Sequence, residues 1–433
     1  MAMAAYHDNY SINQQFSILY GTDLITRPGS QSTLSFNQAY VKLQGYGIEF
    51  AAGRFHNTSP ISDDILGIGS LGVGTNATPI PQIRLGLIDW TPIPFTNEFI
   101  EIKGHIAHGW LGSRRYTEDL LVHEKAGHLK FGGKFPLNVY GGLAHYVKWG
   151  GNHPEEGEIP TRLSDFFNVF FAKGGDEFTP GQEQAFILGD HLGAWDFGFY
   201  LNLEETQFKV YRQMPIETKD NVKFKSIQDA LTGISVQFSE DSRIPLDRFV
   251  YEFLYTKYQD GPRRPNIVDG VNCAENPGTC RDDFMGNENY YNHGLYRTGW
   301  AYNTRNIANP LFTVSEENLG IVNNRIVAHH LGIQASWGKT LLTGKATFSR
   351  NYGKRCDNRI PDLGEGELFG VECENIVDTT IERSLDQWSF LAGADIPLRT
   401  EQNLSFTIEL AFDNGRLAGS QFGSLIGLRW TPL

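Results

Sequence analysis

The chain has 433 residues, with 37 basic and 50 acidic side chains, a formal net charge of −13 and a mean hydropathy of −0.33. That balance excludes nucleic acid as a partner, because phosphate binding needs a concentrated positive field. No uninterrupted apolar run reaches the roughly 18 residues of a transmembrane helix, so a membrane location requires strands in which apolar and polar residues alternate, as 13% aromatic residues and 47 glycines allow.

Alternation with period two sends successive side chains to opposite faces and predicts roughly sixteen strands. In chain order they lie near 13–21, 36–45, 47–54, 82–89, 98–109, 126–133, 137–149, 192–204, 206–213, 229–238, 248–256, 326–337, 340–349, 387–396, 403–412 and 421–430. From 137 to 149, Leu137, Val139, Leu143, Val147 and Trp149 oppose Asn138, Tyr140, Tyr146 and Lys148. Trp195, Phe197, Phe199, Leu201 and Leu203 oppose Asp196, Tyr200, Asn202 and Glu204, and Leu404, Phe406, Ile408, Leu410 and Phe412 oppose Asn403, Ser405, Thr407 and Glu409. One face of each suits lipid and the other water. Lengths of about 9–11 residues fit tilted strands crossing an outer membrane, whereas soluble strands cluster near 5–6. Trp149, Trp195, Trp337, Trp388 and Trp430 near strand ends resemble interfacial girdles, although ordinary core positions would also hold them.

Connections are unequal: very short turns join 192–204 to 206–213 and 326–337 to 340–349, but 259–325 and 350–386 are long and polar. Short periplasmic turns and long outer loops produce that asymmetry. Cys273 with Cys280 and Cys356 with Cys373 fall in the long segments without Cys-x-x-Cys zinc spacing, so two disulfides formed in an oxidising compartment are expected. The opening Met1-Ala2-Met3-Ala4 has no basic segment followed by an apolar one. Export is therefore inferred from the strands, and a processed or trimmed start is expected.

Catalytic signatures are weak. His105, His108, His123 and His128 include no His-Glu-x-x-His, and His105 and His108 fall on opposite faces of a strand, as do His329 and His330. Neither a Gly-x-Ser-x-Gly elbow nor a phosphate-cradling loop occurs, and Asp63, Asp64, Glu155 and Glu156 sit in polar loops. No metal or cofactor is expected. The segment 287–310 is dense in aromatic rings, amides and Arg. Sugars are held by stacking on Tyr or Trp and by planar amide and guanidinium groups, so Tyr290, Tyr291, Tyr296, Arg297, Trp300, Tyr302 and Arg305 are candidate glycan contacts. The competing reading is that Tyr291, Tyr296 and Trp300 pack a large loop against the barrel wall or close its mouth. Arg263 and Arg264 join the candidates if the glycan is acidic.

Blocks in order along the chain resemble the Wzi family of capsule-assembly proteins. They are Leu66 to Gln82 after Gly53-Arg54, His108-Gly109-Trp110, His123-Glu124-Lys125, Gly142-Leu143 through His145 to Trp149-Gly150-Gly151, Leu188 to Gly193, Tyr211-Arg212-Gln213, Asp229 to Gly233, and 289–310. The resemblance implies an outer-membrane barrel of about 18 strands that attaches or organises capsular polysaccharide and catalyses no reaction. It also implies an N-terminal periplasmic helical plug, which this sequence is read as lacking. The expectation is therefore an all-β chain: one transmembrane antiparallel β-barrel of about 16–18 strands over 1–433, with long extracellular loops at 259–325 and 350–386. Its partners would be surface polysaccharide, outer-membrane lipids and lipopolysaccharide. The rival reading is a porin-like channel for sugars or other small solutes, and the two differ in whether the lumen is plugged. A third reading, a barrel hydrolase, requires a His beside a Ser or an acid at the lipid edge.

Overall fold

Alternating sequence gives strands whose two faces want different solvents, and a curved sheet satisfies both at once. The computed structural model describes residues 2–12, 15–27, 33–57, 59, 62–185, 187–224, 226–239, 242, 244–259, 267–268, 271–272, 288–354, 384–399 and 404–430. Its sheet has 18 strands, of which 17 are long. In chain order these are β1 (Ala2–Ser11), β2 (Phe16–Arg27), β3 (Thr33–Gly45), β4 (Ile48–Arg54), β5 (Pro81–Leu87), β6 (Ile100–Trp110), β7 (Leu121–Phe131), β8 (Leu137–Trp149) and β9 (Asp190–Asn202). They continue as β10 (Thr206–Ile216), β11 (Ala230–Phe238), β12 (Arg248–Tyr255), β13 (Ile326–Trp337), β14 (Thr340–Asn351), β15 (Leu385–Arg399), β16 (Leu404–Gly415) and β17 (Gln421–Trp430). The remaining strand, Thr91–Pro92, extends β5 along β6. Each long strand pairs antiparallel with the next, an up-and-down order whose ladders satisfy backbone groups within the sheet, as a bilayer demands. Among the described residues, β1 and β17 are not paired with each other.

Connections sort by end. Those after even-numbered strands include 55–80, 150–189, 256–325 and 352–384, whereas those after odd-numbered strands include the tight turns 46–47, 203–205 and 338–339. All the long loops therefore emerge at one end, the outer one. The faces follow the predicted alternation: Ile83, Leu85, Ile106, Val139, Phe197, Leu410 and Phe412 are exposed on the outside wall. Their neighbours Glu124, Tyr146, Lys148, Asp196, Gln213 and Glu252 are buried facing the lumen. No described helix is long and apolar enough to cross a membrane.

Three strands, β1, β2 and β7, depart most from the expectation. β2 runs to Arg27, six residues past the predicted end at 21. β1 was not predicted, because Tyr6-His7-Asp8-Asn9 offers little apolar alternation. β7 begins at Leu121, five residues before the predicted 126, since His123 and Lys125 occupy wall positions where an apolar residue is expected.

Candidate functional site

What fills the barrel decides what it can do. Two loops fold inward: the Gly-rich segment 55–80 and the aromatic segment 289–324, which form the largest buried apolar cluster together with wall residues such as Val122, Tyr146, Leu192 and Leu254. The glycines permit contact that side chains would block. A Cβ at Gly72 would lie 2.5 Å from the Tyr146 ring of β8, and one at Gly74 would lie 2.2 Å from the Ala308 carbonyl.

The inserted loops are fixed to the wall by polar groups buried in the lumen. On β12 the Glu252 carboxylate accepts the Ile68 N–H (2.6 Å) and the Tyr211 hydroxyl (2.5 Å). Gln213 on β10 accepts the Leu71 N–H and the Ser70 hydroxyl, and its amide donates to Asp196, which also holds His128 at 2.7 Å. Beside Glu252, its register partner His330 of β13 donates to the Leu66 carbonyl at 2.6 Å, and Arg248, also of β12, pairs with Asp63 at 3.2 Å. Contacts on β8, β10, β12 and β13 thus suspend a plug across the lumen. Between residues 62–76 of the plug and the wall groups His330, Lys345, Thr347, Ser389 and Asp413, a cavity of about 380 Å³ remains.

The sequence-predicted aromatics belong to this plug. Tyr290, Tyr291, Tyr296, Trp300 and Tyr302 are all buried, so the packing reading of these rings, and not the sugar-stacking one, describes their positions. Each of four is held by its polar atom. Tyr290 donates to Asp229 (2.7 Å), Tyr291 to the Leu71 carbonyl (2.9 Å), Tyr296 to Glu183 (2.5 Å) and the Trp300 indole to the Gly72 carbonyl (2.7 Å). Burial raises the Glu183 carboxyl above its ordinary range, partly opposed by the Tyr296 hydroxyl.

Arg297 is instead half-buried and Arg305 exposed. Arg297 lies with its guanidinium 4.7 Å from the centroid of the Tyr116 ring and 3.8 Å from Glu155. Tyr116 donates to Glu155 (2.9 Å) and its ring meets His153 at 5.4 Å. His153 is fixed in turn, since its Nδ1 accepts the N–H groups of Glu155 and Glu156 at 3.1 and 3.0 Å. Burial lowers its pKa, outweighing the two carboxylates. Beneath this cluster Arg115 is buried with its guanidinium on the Ala301 and Gly299 carbonyls, and burial brings its pKa down to about 10 against the pull of Asp190. Tyr116 and His153 were not singled out from sequence: they sit in polar loops without a motif, and only the fold brings them to Arg297. Arg263, Arg264, Cys273, Cys280, Cys356 and Cys373 lie outside the described residues.

The histidine pairs His7–Asp23, His105–Glu124 and His128–Asp196 (2.6, 2.6 and 2.7 Å) all face the lumen and not the lipid edge. Among the described residues no group of three His, Cys, Asp or Glu could hold a metal ion.

Comparison with known proteins agrees with this architecture. The model of the family described as capsule assembly protein Wzi matches residues 2–318. A solved structure described as Wzi, an outer membrane protein involved in group 1 capsule assembly in Escherichia coli and a carbohydrate-binding β-barrel, is similar over 100% of this chain and 78% of its own. Its TM-score is 0.58 and its identity 12%. OpdL of Pseudomonas aeruginosa aligns over 100% of this chain and 91% of its own, with TM-score 0.43 and 8% identity. OccK10 of the same organism gives 100%, 92%, 0.42 and 8%. No curated protein sequence matches.

Proposed function

We propose, from the premise that the chain belongs to the capsule assembly protein Wzi family, that it is an outer-membrane barrel that binds surface polysaccharide on its outer rim and holds it there. The observation that carries this reading is the plug. An anchor needs a rigid outer surface and an obstructed lumen, and loops 55–80 and 289–324 favour both, because polar contacts to β10, β12 and β13 and packing on Tyr146 of β8 hold the chain's own backbone across the lumen.

The glycan-facing groups in this reading are Arg297, with Tyr116 and His153 beside it, and the exposed Arg305. Guanidinium forks pair with carboxylates of an acidic sugar, and the half-exposed Tyr116 edge offers a surface for ring C–H groups. The buried tyrosines and Trp300 support that surface from below, and no reaction is assigned to it.

The test is binding of the purified, detergent-solubilised protein to surface polysaccharide from its own host, with an unrelated neutral glycan as control and conductance in a planar bilayer measured alongside. Selective binding without conductance supports anchoring. Conductance without binding, carried by the space beside Lys345 and Asp413, moves the assignment to a channel.

A further inference from the structure

Alternation identifies positions on the outside wall that do not suit lipid. His108 of β6, His123 and Lys125 of β7, His145 of β8, His191 of β9 and Arg212 of β10 all fall on the face opposite the lumen. Yet His123 is 0% and the neighbouring wall residue Trp149 2% exposed, so something outside the barrel covers them.

The cover is the loop that follows β8. It carries α1 (Leu163–Phe170), started by Asp165, whose carboxylate accepts the Arg162 N–H at 2.8 Å and the Arg162 guanidinium at 2.9 Å. The helix lies against the wall through Phe166 and Phe170, 5.3 and 5.2 Å from the His123 ring. The Lys125 ammonium donates to the Phe170 carbonyl and sits 3.9 Å from that ring's centroid. A second loop repeats the device: after β10, Phe224 stacks on the wall residue Trp195 at 5.2 Å, and Arg212 donates to the Ile227 carbonyl. Lys125 and Arg212 are thus each closed off by a backbone carbonyl from a loop bent down over the rim.

The outer faces of both loops are apolar as well. Leu163, Phe167, Phe171 and Phe178 are 73%, 51%, 61% and 64% exposed, and Val222, Phe224 and Ile227 are also open. In α1 the apolar residues Val169, Phe166, Phe170, Leu163 and Phe167 form one continuous arc with Ser164, Asn168 and Asp165 opposite, and the part of that arc turned away from the wall, at Leu163 and Phe167, suits lipid. These side chains continue the lipid-facing wall of Ile106, Leu143 and Phe197. From the outer strand ends, the cover reaches about four residues down to Lys125 and His145, on the order of 10 Å for a tilted strand.

We propose that the loops 162–189 and 217–229 are lipid-embedded straps, whose exposed Phe, Leu and Ile side chains sit among the acyl chains of lipopolysaccharide in the outer leaflet while their inner faces seal polar wall residues from it. The test places the photo-crosslinking residue p-benzoylphenylalanine at Phe167, Phe171 and Phe224, one at a time, in cells. Wall position Leu143 and hairpin position Glu156 serve as controls, and heat-modifiable migration confirms the barrel. The expected result is a lipopolysaccharide adduct at all three strap positions at the level of position 143 and at least tenfold above position 156. Strap positions matching Glu156 while Leu143 gives adduct would overturn the proposal. So would adducts only to phospholipid, protein or capsular glycan.

Discussion

Replacing Trp300 with Ala separates a plug role from a sugar-stacking one. The ring is fully buried, 5.8 Å from Tyr146, with the Lys148 ammonium 5.7 Å from its centroid and the indole N–H on the Gly72 carbonyl. Truncating a buried Trp costs about 3–5 kcal/mol, and the unpaired Gly72 carbonyl about 1 kcal/mol more. Taken against a docked and an undocked plug, the cavity term alone raises the undocked population roughly a hundred- to several-thousand-fold. The assays are single-channel opening frequency in planar bilayers and the rate at which protease cuts 289–324, both read beside polysaccharide binding. The expected variant opens and is cut faster. If it stays closed and protected while glycan binding disappears, Trp300 contacts sugar directly and the reasoning fails.

Glu252→Ala removes the acceptor for two buried donors, at about 1–3 kcal/mol each, and is expected to release loop 55–80, whereas Glu252→Gln keeps an acceptor and restores most of the closure; equal opening by both variants would contradict this. The double change Arg297→Gln with Arg305→Gln is expected to weaken binding of an acidic host polysaccharide about tenfold or more and leave the plug closed, checked by retention assay and conductance. His153 is held neutral, with a pKa below the ordinary value of about 6.5, so its contribution to the rim is present above that value and lost as pH falls through it. Glycan binding should therefore drop as pH falls below about 6.5. His153→Asn, which keeps an acceptor for the Glu155 and Glu156 N–H groups, should flatten that dependence in a binding titration.

The wall was legible because lipid and water impose a period of two on each strand, as at Leu404 to Phe412. It was least legible where that constraint is lifted. His123 and Lys125 break the pattern because α1, not lipid, covers them, and the strand they belong to was predicted too short. The aromatic segment was recognised as a distinct feature, but composition alone does not say which way a ring points. Tyr291 and Trp300 have the side chains of a sugar platform and the burial of a core. The plug was legible only as one of two readings of 287–310, a loop packed against the wall or closing the mouth; its contacts were not, since they join residues such as Ile68 and Glu252 that are 184 positions apart. The Leu66–Gln82 stretch entered only through its likeness to a family, and its glycines acquire their meaning from Tyr146 and Ala308.

Those separations also order the birth of the molecule. Leu66 waits for His330, 264 residues later, and Ser70 and Leu71 for Gln213, more than 140 residues later. Contacts of such range form late, after the loops between them have closed. The loop 55–80 therefore has its full seat only once β10 and β13 have joined the wall. Whatever shortens the wall on that side takes away the stopper's seat as well, so the integrity of the plug reports on the completeness of the sheet around it.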